Sequence, residues 1–267
     1  IQTGEPRLGL TPKEGPVLDL DWETDREIAN HTQQALHAGM RLSGDPLFLY
    51  RRCRRPLLEF IEQVKADVER EGVVLTIADS LAYACGSERE LKENAIPTLT
   101  ALAQLGTVLL INHRPKGEEG KSRGSYGSVY AENAVRQSFR VEARADPKEP
   151  QMDIVLFHSK HNLMSLLHPI GYRITFDKLL GTEVKLQDVG EVPDIRNQQD
   201  AVFQIEDAFR EYPRMTVEQI ESETGLKEGT IRQTLNRYEG KQFKNLGGRP
   251  AVWSRLVEPT NSPPQEL

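Results

Sequence analysis

The chain has 267 residues, 37% of them hydrophobic and 28% charged, with a formal net charge of -6. Those proportions describe a soluble globular protein of one large domain, or one large and one small, and exclude a fibrous or wholly disordered chain. No run approaches the ~18 to 20 apolar residues of a membrane span, and a pI near 5.7 argues against nonspecific coating of nucleic acid while leaving room for a local basic face.

In chain order, Ile1-Gln2-Thr3 running into Gly4 reads as the last turn of a helix with a glycine C-cap and lacks the regions of a signal peptide. The chain is therefore expected to lack its N-terminal part. Pro16-Val17-Leu18-Asp19-Leu20 predicts a short strand ending at Asp21-Trp22-Glu23, followed by a helix over 25–38 and a strand over 47–50. Leu57, Leu58, Ile61, Val64 and Val68 share one helical face between Pro56 and the stop at Gly72. A β-branched apolar run over 73–77 ends at Asp79-Ser80, and a helix over 96–105 and a strand over 107–111 follow. Alternating strands and helices predict an α/β fold with a mostly parallel sheet, whose ligand sites lie where the strands end. Residues 114–123 form a polar, basic, Gly-bearing loop, and strands over 135–141, 154–157 and 172–176 are expected as an antiparallel extension.

Around 189–200 the apolar period is lost, which places a linker at 191–200. Residues 201–258 then read as helix, helix, turn, helix and hairpin. Thr216-Val217-Glu218-Gln219 is a capping-box signature, Gly225 breaks the chain, Ile231 and Leu235 mark a second inward face, and Leu246-Gly247-Gly248-Arg249 turns a hairpin. This outlines a winged helix-turn-helix, followed by a polar tail at 259–267 expected to be disordered. Residues 206–223 carry six acids and two bases, a balance of -4, whereas 227–255 carry seven bases and two acids, a balance of +5. Lys227, Arg232, Arg237, Lys244 and Arg249 in that basic half suit a phosphate backbone, although such modules also dock proteins.

Glu23 and Asp79 are acids placed just past or at the end of apolar strands, so in a parallel sheet both face one crevice. Paired carboxylates there suit Mg²⁺ held through water at Asp79 and a base that orients an attacking water. Solvated strand-terminating acids are the plain alternative. His113 ends the next strand on the same edge, either to sense a terminal phosphate or to cap the strand. Arg136 and Lys160 are candidate cations for the transferred phosphate of a neighbouring subunit, or solvated strand ends. His158 and His161 have metal-like spacing without a third ligand. Arg51, Arg52, Arg54 and Arg55 form a basic patch around Cys53, which either touches phosphates or is a solvated or inter-subunit face. Cys53 and Cys85 form no CxxC pair and read as ordinary thiols of a reducing compartment, with the cytoplasm as the expected location.

Six segments in order carry a family resemblance: Gly15-Pro16-Val17-Leu18 with Asp21-Trp22-Glu23; Ala78-Asp79-Ser80; Asn112-His113-Arg114-Pro115-Lys116-Gly117; Arg123-Gly124-Ser125; Asn133 to Ser138; and Ser159-Lys160-His161-Asn162. Over the first ~180 residues the chain resembles the RecA-like ATPases of the plasmid RepA-helicase type. The resemblance implies a RecA-like core at 1–190 and ATP with Mg²⁺ as cofactors. It also implies a ring-shaped homo-oligomer, a hexamer in the family, acting on DNA in plasmid or phage replication. It gives Glu23 the role of catalytic glutamate, Asp79 that of Walker B aspartate, His113 that of phosphate sensor, Arg136 that of arginine finger and Lys160 that of a second trans cation. Arg114, Lys116, Lys121 and Arg123 fall in the loop that faces DNA. The sequence departs from the family in having no G-x-x-x-x-G-K-S/T, the loop that cradles phosphates. Without the strand preceding that loop, the sheet is expected to be split, with exposed edges. A noncatalytic DNA-binding regulator is the alternative reading.

Overall fold

A computed structural model of the chain describes residues 4–42, 48–86, 88–113, 133–162, 166–189 and 200–256. The expected helix end at 1–3, the basic loop with Arg114, Lys116, Lys121 and Arg123, most of the linker, and the tail at 259–267 lie outside them. Among the described residues no helix is long and apolar enough to cross a membrane.

The first half alternates as its sequence predicts. β1 (Val17–Asp21) is followed by α1 (Arg26–Gly39) and β2 (Phe48–Arg52). A 3-10 turn (Leu57–Glu59) leads into α2 (Ile61–Glu71), and β3 (Leu75–Asp79), α3 (Leu81–Ala84), α4 (Glu88–Ala103) and β4 (Val108–Ile111) follow. The four strands form one parallel sheet in the order β2-β1-β3-β4. Leu18, Leu20, Leu57, Phe60, Val64 and Leu102 build the core beneath it. Leu20 and Leu57 are completely buried, and each contributes about 1.5–3 kcal/mol of transfer free energy. α2 stops at Gly72, whose φ of +62 is a left-handed cap.

Two expectations need correction. α4 begins at Glu88 rather than Ile96 and runs through Pro97. Of its first six residues only Leu91 is apolar, so they carry no apolar period, and among the described side chains the buried face shows at Ala95, Thr98, Ala101 and Leu102. The later strands do not extend the parallel sheet. β5 (Gln137–Ala145), β6 (Gln151–His161), β7 (Ile170–Asp177) and β8 (Gly181–Gln187) form a separate antiparallel meander in that order. Among the described residues, β4 pairs only with β3 and β5 only with β6, so each sheet keeps an unpaired edge there. Val155, Phe157 and Val189 form a small cluster of their own. β8 was not predicted, because its turn holds two apolar residues, Leu179 and Leu180. The turn is closed by the Asp177 carboxylate, which accepts from both their amides.

The C-terminal stretch contains α5 (Ala201–Glu211), β9 (Arg214–Thr216), α6 (Val217–Thr224), α7 (Glu228–Arg237) and the hairpin β10 (Phe243–Gly247) and β11 (Val252–Arg255). β11 also pairs with β9, giving the sheet order β10-β11-β9. The capping box forms at the start of α6. The Gln219 amide donates to the Thr216 hydroxyl, and the Thr216 amide to the Gln219 side chain. Gly225 closes α6 with φ +70. Ile205, Ile220, Ile231, Leu235 and Phe243 are completely buried in one cluster with Trp253.

Candidate functional site

Strand order alone selects a place on the parallel sheet. From β1 the chain crosses to β2 on one side, and from β3 it crosses to β4 on the other. The crossovers therefore diverge between β1 and β3, and a crevice opens beyond the carboxyl ends of those two strands. Asp21 and Asp79 are register partners at that end, and the Trp22 amide continues the ladder by donating to the Asp79 carbonyl at 2.8 Å.

Glu23, Asp79 and His113 meet in this crevice. One carboxylate oxygen of each acid and one imidazole nitrogen all lie within 4.8 Å of one another. Glu23 Oε1 accepts the Ser80 hydroxyl at 2.7 Å and lies 3.0 Å from His113 Nε2. With its proton on that nitrogen, the imidazole donates to the same oxygen. Ser80 is completely buried whereas the His113 side chain is 63% exposed, so Glu23 is gripped from the protein side and met by a ring open to solvent. Burial first, and then the neighbouring Glu23 and Asp21 charges, raise the Asp79 pKa above its ordinary value, against a smaller opposing effect of His113.

Asp21 is a positioning group that sequence reading named only as part of a strand end. Its buried carboxylate accepts the amides of Glu23 and Thr24, both at 2.7 Å, and so turns the chain immediately before the catalytic candidate. Arg52 balances it from 3.6 Å. An Asp two residues ahead of a Glu at a strand end carries the signal of such a turn, as Ser80 after Asp79 carries that of a second contact.

The donor set fits a hard divalent cation. Asp79 Oδ1 is buried and has no hydrogen-bond partner among the described residues, an arrangement that costs free energy unless a cation or water satisfies it. Two carboxylates suit Mg²⁺ held partly through water, whereas the imidazole is better suited to a phosphate oxygen than to Mg²⁺.

The remaining candidates lie elsewhere. Arg136 is exposed just before β5, and the Lys160 ammonium donates to the Asn133 and Val135 carbonyls at 3.2 and 2.8 Å, within its own sheet region. His158 is buried, stacks on Phe139 at 4.5 Å and accepts the Leu167 amide, and burial lowers its pKa. It is packed as a core ring, and among the described residues the group that could hold a metal is Glu23, Asp79 and His113. The arginines around Cys53 do not activate it: burial pushes the thiol up to about 12. Lys227, Arg232, Arg237, Lys244 and Arg249 are all exposed, with Arg232 paired to Glu228 at 2.7 Å.

No family model matches the chain, and no curated protein matches it significantly. Among solved structures the chain is similar to a KaiC-like protein from the hyperthermophilic archaeon Pyrococcus horikoshii. The identity is 14%, the TM-score is 0.44, and the match covers 64% of this chain and 75% of that one.

Proposed function

We propose that the chain carries the ATP-hydrolysing core of a RecA-like DNA motor, akin to the plasmid RepA-type helicases and acting between subunits of a ring. One observation supports this above the rest: the convergence of Glu23, Asp79 and His113 at the switch point of a parallel sheet. In this reading Asp79 anchors Mg²⁺, which when bound neutralises charge on the phosphate oxygens. Glu23 orients the attacking water, held in place by Ser80 and by the Asp21 turn. His113, touching the same Glu23 oxygen, reports contact with the terminal phosphate to the base. Arg136 and Lys160 serve as cations offered to the neighbouring subunit, and the loop with Arg114, Lys116, Lys121 and Arg123 faces DNA.

The domain reading assigns 1–190 to the motor core, 191–200 to a linker and 201–258 to a winged-helix module. Three helices, a capped turn at Gly225 and the β10–β11 hairpin support that module. The exposed Lys227, Arg232, Arg237, Lys244 and Arg249 support DNA as its partner.

The 267 residues contain no G-x-x-x-x-G-K-S/T, so Mg²⁺-dependent ATP turnover by this chain is expected to be weak or absent. The metal site is testable directly, with Mn²⁺ as a paramagnetic stand-in for Mg²⁺. Asp79→Asn is expected to weaken Mn²⁺ binding by about tenfold or more, and binding equal to wild type would remove Asp79 as the anchor. In a chain that also carries a phosphate-binding loop, Glu23→Gln is expected to lower kcat by roughly a hundredfold or more; undiminished turnover would remove the enzyme reading.

The missing loop, with the charge separation of the C-terminal half, favours a second reading as a noncatalytic DNA-binding regulator. Under that reading DNA affinity falls steeply with salt and is indifferent to Glu23→Gln.

A further inference from the structure

Beside the acid cluster, on the same sheet edge, the charge changes sign. A pocket of about 450 Å³ is lined from the ends of β1 and β2 and from α3 by Trp22, Asp25, Arg52, Arg54, Arg55 and Tyr83. Three arginines face one aspartate, and the three differ in what already holds them. Arg52 is committed to the buried Asp21 and reaches Asp25 at 3.8 Å. Arg54 is exposed and its side chain has no ion pair or hydrogen bond among the described residues. Arg55 meets Glu59 at 3.7 Å with both side chains more than half exposed, a contact an incoming anion displaces at little cost.

The backbone carrying this pair is fixed. The buried Trp22 indole donates to the Arg55 carbonyl at 2.8 Å, and the Cys53 amide donates to the Asp21 carbonyl at 2.7 Å. Tyr83, by contrast, remains 53% exposed while its helix neighbours Leu81 and Ala84 are buried. Its ring is thus offered to the pocket's contents and not to the core. Cations on a rigid support beside an exposed aromatic face are the elements that bind a nucleotide unit without reading its sequence.

We propose that this pocket binds a nucleotide unit, with the phosphate on Arg54 and Arg55 and the base stacked on Tyr83. The proposal goes beyond the motor reading and is independent of metal and ATP, because none of the three residues belongs to the acid cluster.

The test uses the full chain in EDTA without ATP, so failure of the metal site does not touch it. A short oligothymidylate carrying one photoreactive thymine analogue is crosslinked and the adduct mapped by mass spectrometry, and its affinity is measured across a salt series. An adduct at Tyr83 is expected. The double variant Arg54→Ala/Arg55→Ala should abolish that adduct and lower the slope of log affinity against log salt by about 1.4, two single-strand phosphate contacts at ~0.7 each. Tyr83→Ala should weaken binding roughly fivefold or more with the salt slope kept, and Arg54→Lys/Arg55→Lys should retain the slope. Thymidine monophosphate in competition separates the sources: loss of the Tyr83 adduct at low concentrations assigns the pocket to free nucleotides, and persistence assigns it to a strand. Adducts confined to other residues, with the double alanine variant crosslinking and binding like wild type, would overturn the proposal.

Discussion

Asp19 lies in the middle of β1, between the buried Leu18 and Leu20, and its Oδ1 is buried with no hydrogen-bond partner among the described residues. Burial, followed by the charges of Asp21 and Asp79, raises its pKa to about 6 from an ordinary 3.8. The folded protein therefore holds this proton more tightly than the unfolded chain does. The stability linked to it is fully present below the ordinary value and is lost as pH rises through about 6. Asp19→Asn removes the charge without removing the shape. Above pH 6 the variant is expected to be more stable than the parent by about 1 kcal/mol, discounting the shift for solvent screening. Near pH 4 the two should melt together. Thermal melts at both pH values check it, and an equal effect at both would show that burial of the charge is not the cause.

At the scale of elements, α1 and β8 approach backbone to backbone. A Cβ at Gly39 would stand 2.3 Å from the Thr182 carbonyl group, and one at Gly181, where φ is +89, would stand 2.3 Å from the Ala35 carbonyl oxygen. Neither obstacle is a movable side-chain tip, so the helix must shift to admit even a methyl group. α1 has no fully buried residue of its own, so it has little other packing to compensate for the contact with β8 that such a shift gives up. Gly39→Ala, although the better helix former, is expected to destabilise by about 1–3 kcal/mol and to raise amide exchange in α1 and β8 together. A stabilised variant would mean that the close pass does not exist. Such approaches explain what the sequence left hidden. β1, β3 and β4 were legible because each apolar run ends in a polar residue, and the C-terminal helices because Thr216, Gln219 and Gly225 are local signals. The strand order β2-β1-β3-β4, the shared use of Glu23 Oε1 by Ser80 and His113, and the arrival of Tyr83 beside Arg54 all depend on residues far apart in the chain, which no local period encodes. β8 was missed despite its alternating Thr182-Glu183-Val184-Lys185-Leu186, because an apolar turn precedes it.

Across the whole molecule, one buried acid joins the C-terminal cluster to the stretch before β7. Glu206 on α5 is only 4% exposed at its side chain. His168 Nε2 lies 2.5 Å from its Oε2, and Arg255 Nε on β11 lies 3.9 Å from its Oε1. His168 Nε2, Glu206 Oε2 and Arg255 Nε are buried without a well-formed hydrogen bond among the described residues, so the pairing of Glu206 with the Arg255 guanidinium rests on charge in a poorly solvated place. The His168 ring also packs on Phe203 at 4.7 Å, one turn ahead of Glu206. Glu206→Ala leaves Arg255 buried without its acid and is expected to cost about 3 kcal/mol. Hydrogen exchange is the more discriminating readout. If Glu206 ties the two regions, protection should fall both in α5 and in residues 166–170, and a single thermal transition should separate into two. Loss of protection confined to the C-terminal cluster would show that Phe203 and His168 hold the junction without the acid.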